Sequence, residues 1–305
     1  IEGFMKKKLM DFTFCLFCFI SIIFIFKNNK EVANVILEAV NLFFKKVFVS
    51  LFPMFILNDI LINLNIPYYF YLLFNKLFLK VFHTSGLGAY VFIMSLISGT
   101  PSNAYILKEL VELEKLSIEE ANHFLTFTYF SNPLFLTVML STIFNVRIVL
   151  KIILCHYIAN IIIGILMRNK APKIVTNQKY TQNKSKSSII KSINKSISTL
   201  LMILGTICFY MLLTFIVTNL LPDNLLIKTL ISGFLEITNG LNTITSLNIF
   251  IQIKEIIASA IISFGGLSIH TQIKSILEDT KMNYSYFFKG RIMQTIISVI
   301  LIILF

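Results

Sequence analysis

Apolar runs long enough for lipid alternate with short polar interruptions along almost the whole chain. Leu9–Phe26 follows the basic patch Lys6-Lys7-Lys8 and is predicted to be a retained first transmembrane helix, since no small-x-small cleavage pattern follows it. Residues 35–63 have a helical pattern. Lys45-Lys46 predicts an interfacial first half, and Pro53 a kink before the inserted second half, where Asp59 is free to snorkel. Tyr68–Phe82, with Lys76 and Lys80 at i, i+4, reads as an interfacial or tilted helix. Ser117-Ile118-Glu119-Glu120 resembles a capping box opening a helix that runs to Asn132-Pro133. Further spans are predicted at Val149–Met167, Leu200–Leu221, Asn248–Ser263 and Arg291–Phe305, for seven to nine crossings in all.

The interruptions carry the chemistry. Ser98-Gly99-Thr100-Pro101-Ser102-Asn103 separates the apolar run Leu87–Ile97 from a helix that turns charged by Lys108-Glu109. Thr100 suits an N-cap and Pro101 a first helical residue. Ser131-Asn132-Pro133, Glu236-Ile237-Thr238-Asn239-Gly240 and Ser263-Phe264-Gly265-Gly266-Leu267-Ser268 interrupt apolar segments in the same way, so that each half of the chain has two breaks. Backbone leaving a helix at membrane depth survives only inside protein or beside a cavity, and half-helix N-termini attract anions. Paired breaks in two halves therefore point to a carrier site.

The predicted substrate-binding set is Ser98, Gly99, Thr100, Pro101, Ser102 and Asn103; Ser131 and Asn132; Glu236, Thr238, Asn239 and Gly240; and Gly265, Gly266, Ser268, His270 and Gln272. An acid inside a membrane segment, as Glu236 is, is costly and usually functional. His270 is expected to face the site and, when protonated, to hold a carboxylate. His156 and Asn160, at i, i+4, are expected to tie helices together, while His83 and His123 are placed near water.

Composition fixes the class. Of 305 residues 56% are hydrophobic and 14% charged, against about 25% charged in soluble domains. The fold class is an all-α polytopic membrane protein with broken, re-entrant helices. The net charge of +12 lies mostly in ends and linkers, where membrane topology places it, so nucleic acid is not an expected partner. Residues 168–199 contain eight basic residues and no acid, and form a cytoplasmic linker. With Lys6–Lys8 on the same side, the first half crosses an even number of times. The organisation is 1–30, an N-terminal span; 31–167, a first half; 168–199, the linker; and 200–305, a second half. Cys15, Cys18, Cys155 and Cys208 lie in apolar runs and read as buried small residues. No nucleophile-elbow, HExxH, Walker or dinucleotide motif is present, and the reading assigns no enzyme activity, catalytic group, metal or cofactor.

Several blocks in order carry a family resemblance: Ser50-Leu51-Phe52-Pro53-Met54-Phe55-Ile56, Ser98–Ala104, Ser131-Asn132-Pro133-Leu134-Phe135, His156-Tyr157-Ile158-Ala159-Asn160, Glu236–Gly240 and Phe264–Gln272. Together they resemble the YlbJ-type sporulation integral membrane proteins, of the nucleoside-recognition Gate group. The resemblance implies two Gate-like halves similar to concentrative nucleoside transporters. It also implies a sporulation role moving dipicolinate toward the forespore, across the outer forespore membrane. The family's first break usually reads Gly-x-Pro-x-Gly-Ala-Lys; here Asn103 and Tyr105 stand in place of that Gly and Lys. The expected function is a multi-pass carrier of a small polar, anionic solute, with H+ or Na+ as an optional coupling ion and oligomerisation open. A non-transporting spore-envelope assembly protein and a nucleoside-type transporter are the alternatives.

Overall fold

A computed structural model describes residues 2–172 and 189–305, and among these the chain is entirely helical. In order come α1 (Glu2–Lys27), α2 (Asn29–Leu42), a π-helical turn (Phe43–Phe48), α3 (Val49–Asn63), α4 (Ile66–Val81), α5 (Leu87–Ser98), α6 (Ser102–Glu112) and α7 (Ile118–Leu125). They are followed by α8 (Pro133–Leu140), α9 (Val146–Met167), α10 (Ile189–Leu220), α11 (Leu225–Leu235), α12 (Ile237–Ile244), α13 (Ile251–Phe264), α14 (Gly266–Leu277) and α15 (Tyr284–Leu304). The middle of the predicted linker, 173–188, lies outside the described residues, and 189–199 already belong to α10.

Six helical stretches among the described residues are long and apolar enough to cross a membrane: 10–27, 29–63, 146–170, 189–220, 251–277 and 284–304. That is fewer than the expected seven to nine. The difference lies in the interrupted segments: α5 has 12 residues and α11 has 11, short of the roughly 20 that a bilayer core needs.

Three apolar clusters hold the bundle. The largest joins α4, α5, α6 and α7 to α14 and α15, around Phe82, Tyr90, Phe124 and Phe287. A second joins α8, α9, α12 and α13. A third packs α2 and α3 on α10, around Phe43, Phe55 and Ile203. Many large apolar side chains point outward, among them Phe12, Phe19, Leu73 and Phe250, as expected where lipid rather than water is the neighbour.

Local expectations shift in several places. The departure from α-geometry in 29–63 falls at Phe43–Phe48, not at Pro53, which sits within α3. Asp59 does not snorkel; it is buried and accepts the Tyr105 hydroxyl at 3.1 and 3.2 Å. Ser117 caps α7 by accepting from Glu120 N, but Glu120 reaches away to Ser85 N at 2.6 Å, and α7 ends at Leu125 instead of running to Asn132. His123 is buried beside Phe127 rather than near water. Cys15 is exposed, because α1 lies at the periphery with none of its span buried.

Candidate functional site

All four predicted breaks exist, with boundaries set by local chemistry. At the first, α5 stops at Ser98 and Gly99 adopts φ +78°. Pro101 takes the cap position of α6, and helix begins at Ser102, one residue later than expected. Thr100 does not cap: its hydroxyl donates to Phe130 O at 3.1 Å. The second break is wider than Ser131–Pro133, because the chain leaves helix after Leu125 and re-enters at Pro133. Asn132 caps α8 there, accepting from Leu134 N at 2.9 Å and Phe135 N at 3.2 Å. The third is narrower: only Glu236 leaves the helix, and its carboxylate caps α12 by accepting from Asn239 N at 2.8 Å. The fourth turns on Gly265 at φ +93°.

The four breaks touch in sequence. The Asn132 amide donates to Ser50 Oγ at 3.1 Å and lies over Ser98 O at 3.5 Å. A β-carbon at Gly99 would fall 2.7 Å from the Asn132 nitrogen, so the first and second breaks meet backbone to backbone. Gly265 lies under the Tyr129 hydroxyl, which would be 2.6 Å from any β-carbon there, joining the second break to the fourth. Gly266 in turn abuts Leu235 O and Ile237 N of the third. One cavity of about 460 Å³ is walled by all four, with α10 and the π-turn closing its sides. That is within the usual range of small-molecule sites.

Unwound backbone here must find partners inside the protein. For 126–132 they come from α9 and α15. Arg291, fully buried, donates to Thr126 O at 3.3 Å and lies 3.9 Å over the Tyr129 ring. His156 Nε2 accepts from Ser131 N at 3.2 Å, Tyr157 donates its hydroxyl to Ser131 O at 3.0 Å, and Asn160 donates to Tyr129 O. Gln294 joins Arg291 to His156, donating to His156 O at 3.0 Å. The His156–Asn160 pair thus holds a loop in place through hydrogen bonds along one face of α9.

With this geometry in place, comparison with known proteins finds a relative named sporulation integral membrane protein YlbJ, from Bacillus subtilis (strain 168). It is 26% identical over 305 residues, a match spanning 87% of this chain and 75% of that protein. Over most of its length the chain is similar to a YlbJ-type sporulation integral membrane protein. The relative is an integral membrane protein, and the six apolar helices fit a multi-pass membrane location. No family model matches the sequence, and no solved structure matches it.

In this YlbJ-like chain the cavity wall includes Ser98, Thr100, Pro101, Ser131, Asn132, Glu236, Thr238, Ser268 and Gln272. The other predicted residues lie off it. Gly99, Gly265 and Gly266 form the contacts between breaks. Ser102 and Asn103 are buried in the first turn of α6, and the Asn103 amide has no hydrogen-bond partner among the described residues. Asn239 offers its backbone nitrogen to Glu236, and Gly240 packs on Gly233. His270 does not face the cavity: Nδ1 pairs with the Tyr284 hydroxyl at 2.6 Å and Nε2 lies 3.0 Å from Phe264 O.

The sequence reading missed Lys45, Lys46, Ser50 and Tyr129, all on the wall. The pair Lys45-Lys46, expected at the interface, is exposed and also lines the wall. The signal lay in its position, four to five residues before the Ser50–Ile56 block and inside a long apolar helix.

Proposed function

We propose that the chain is a carrier or facilitator for a small polar, anionic solute, built from two Gate-like halves and working in sporulation, with a dipicolinate-type substrate as the resemblance implies. The observation that carries this reading is the meeting of four interrupted helices, two from each half, on one cavity. The helices that begin there, α6, α8, α12 and α14, turn the positive ends of their dipoles toward it. The N-termini of α8 and α12 are capped by Asn132 and Glu236, whereas those of α6 and α14 receive no side-chain cap. Two amide-rich ends therefore remain for a ligand's oxygen atoms.

Binding in this proposal is electrostatic and dipolar, with no covalent step. Glu236, the cavity's acid, is the candidate for a coupling proton or Na+, or for holding a donor on the solute. The proposed location is the outer forespore membrane. The test is uptake by liposomes holding the purified protein, across dicarboxylates, dipicolinate and nucleosides. Saturable, solute-specific flux is expected; absence of flux for every solute removes the carrier reading.

A further inference from the structure

The cavity that serves the proposed carrier is lined by two cations that, among the described residues, have no carboxylate within ion-pair distance. Lys45 and Lys46 both line it from the π-turn Phe43–Phe48, inside the long helical stretch 29–63. In an α-helix consecutive side chains diverge by about 100°, and the wider π-turn narrows that angle, so two adjacent residues can share one wall. Lys46 Nζ lies 3.7 Å from the Met139 sulfur on α8, so its tip reaches across to the helix that Asn132 caps. A thioether is a weak acceptor and carries no charge. Among the described residues no carboxylate lies within ion-pair distance of either lysine.

Both lysines are exposed, in a helical stretch long and apolar enough to cross a membrane, where an ammonium normally finds a counter-ion or marks a substrate path. Two adjacent ones without a counter-ion, on a cavity that two uncapped helix ends also enter, create a strong preference for negative charge. Glu236 offsets one of the two. The remaining wall is largely hydrocarbon, from Leu134, Phe135, Val138, Ile203 and Ile207. We infer that Lys45 and Lys46 are the charge-selecting residues of the site, and that they select a small organic dianion with an apolar body over its uncharged analogue. This rests on the carrier reading, and the experiment separates the two.

Wild type, Lys45→Gln/Lys46→Gln and Lys45→Arg/Lys46→Arg would be purified, checked for monodispersity by size exclusion, and reconstituted. Uptake of dipicolinate and of its uncharged diamide would be measured side by side. Wild type is expected to prefer the dianion. The double glutamine variant should raise KM for it by about ten-fold or more and lose the preference, while the double arginine variant keeps it. A glutamine variant that discriminates as wild type does would overturn the lysine assignment and leave the carrier reading standing. If wild type moves neither probe, the carrier reading fails. The assignment is then judged by thermal stabilisation: dipicolinate should raise the Tm of wild type but not of the glutamine variant, and equal shifts overturn it.

Discussion

Two cavities lie in line along the same three helices, and each contains two lysines. The first, of about 460 Å³, is reached by Pro101 on α6, Gln272 on α14 and Ile203 on α10. The second, of about 510 Å³, is lined about one turn further along by Tyr105, Ser275 and Thr199. In the second, every ammonium is matched. Lys195 pairs with Glu109 and with Glu112 at 3.0 Å, and Lys108 lies 3.7 Å from Glu112 and 3.4 Å from Asp279. In the first, Lys45 and Lys46 have no acid within reach among the described residues. Matched charges fasten α6 to α10 and to the end of α14. Lys45 and Lys46, more exposed than Lys108 and Lys195, fasten no helix to another through an ion pair, which leaves them for the proposed ligand. Counting lysines would make the two regions equal; counting partners separates structure from function.

The largest effect should come from the acid in the first cavity. Glu236→Ala removes a wall carboxylate and an α12 cap. The cap contributes about 1 kcal/mol, too little to unfold the bundle. Liposome flux should fall ten-fold or more while insertion and monodispersity are kept. Wild-type flux in that variant would reduce Glu236 to a cap and blur the contrast between the cavities.

Next in size is Gly99→Ala. The residue sits at φ +78° with the Asn132 backbone 2.7 Å from any β-carbon, so the substitution forces the first two breaks apart. A loss of about 2 kcal/mol is expected, read as a lower Tm together with reduced flux. An unchanged Tm would mean that the breaks are not held together at this point.

The class of fold was legible because lipid imposes a composition and a run length that few other settings tolerate, and Leu9–Phe26 or Val149–Met167 display both. The breaks were legible for a similar local reason: Gly99, Pro133 and Gly265 cannot continue an apolar helix without consequence. Their exact edges were not. Thr100 looked like a cap from its neighbours, but Phe130 O, thirty residues away, claims its hydroxyl. His270 looked available until Tyr284 and Phe264 O were seen to occupy both nitrogens. Arg291, buried at the heart of the second break, sat in the sequence as the basic flank of a last span. Long-range partners decide such cases, and one chain read by itself does not display them.

Lys195→Met tests the second cavity. It leaves Glu109 and Glu112 facing each other without their shared cation. The lysine is about a third exposed, so screening keeps the expected cost near 1 kcal/mol, below the loss seen for fully buried pairs. The Tm should drop by a few degrees while KM for the solute stays unchanged. This is the reverse of the pattern expected for Lys45→Gln/Lys46→Gln, and a KM change in Lys195→Met would erase the division of labour.

The smallest effect is the pH dependence of that difference. Burial pushes the Glu109 carboxyl up from its ordinary 4.5 to about 6, with Lys195 holding it from rising further. A native pKa above the unfolded one means that the folded protein keeps a proton the unfolded chain has released. The stability this group contributes is therefore fully present below about pH 4.5 and is lost as pH rises through about 6. Removing Lys195 takes away the opposing pull, raises the native pKa and extends the loss to higher pH. The Tm gap between wild type and Lys195→Met should accordingly be small near pH 5 and widen toward pH 7.5. Lys45 and Lys46 share their cavity with Glu236 but make no ion pair with it, so their glutamine variants should change with pH less than Lys195→Met does across the same range. A gap for Lys195→Met that stays flat with pH would show that Glu109 does not titrate against it, and the ion cluster would then be packing rather than electrostatic fastening.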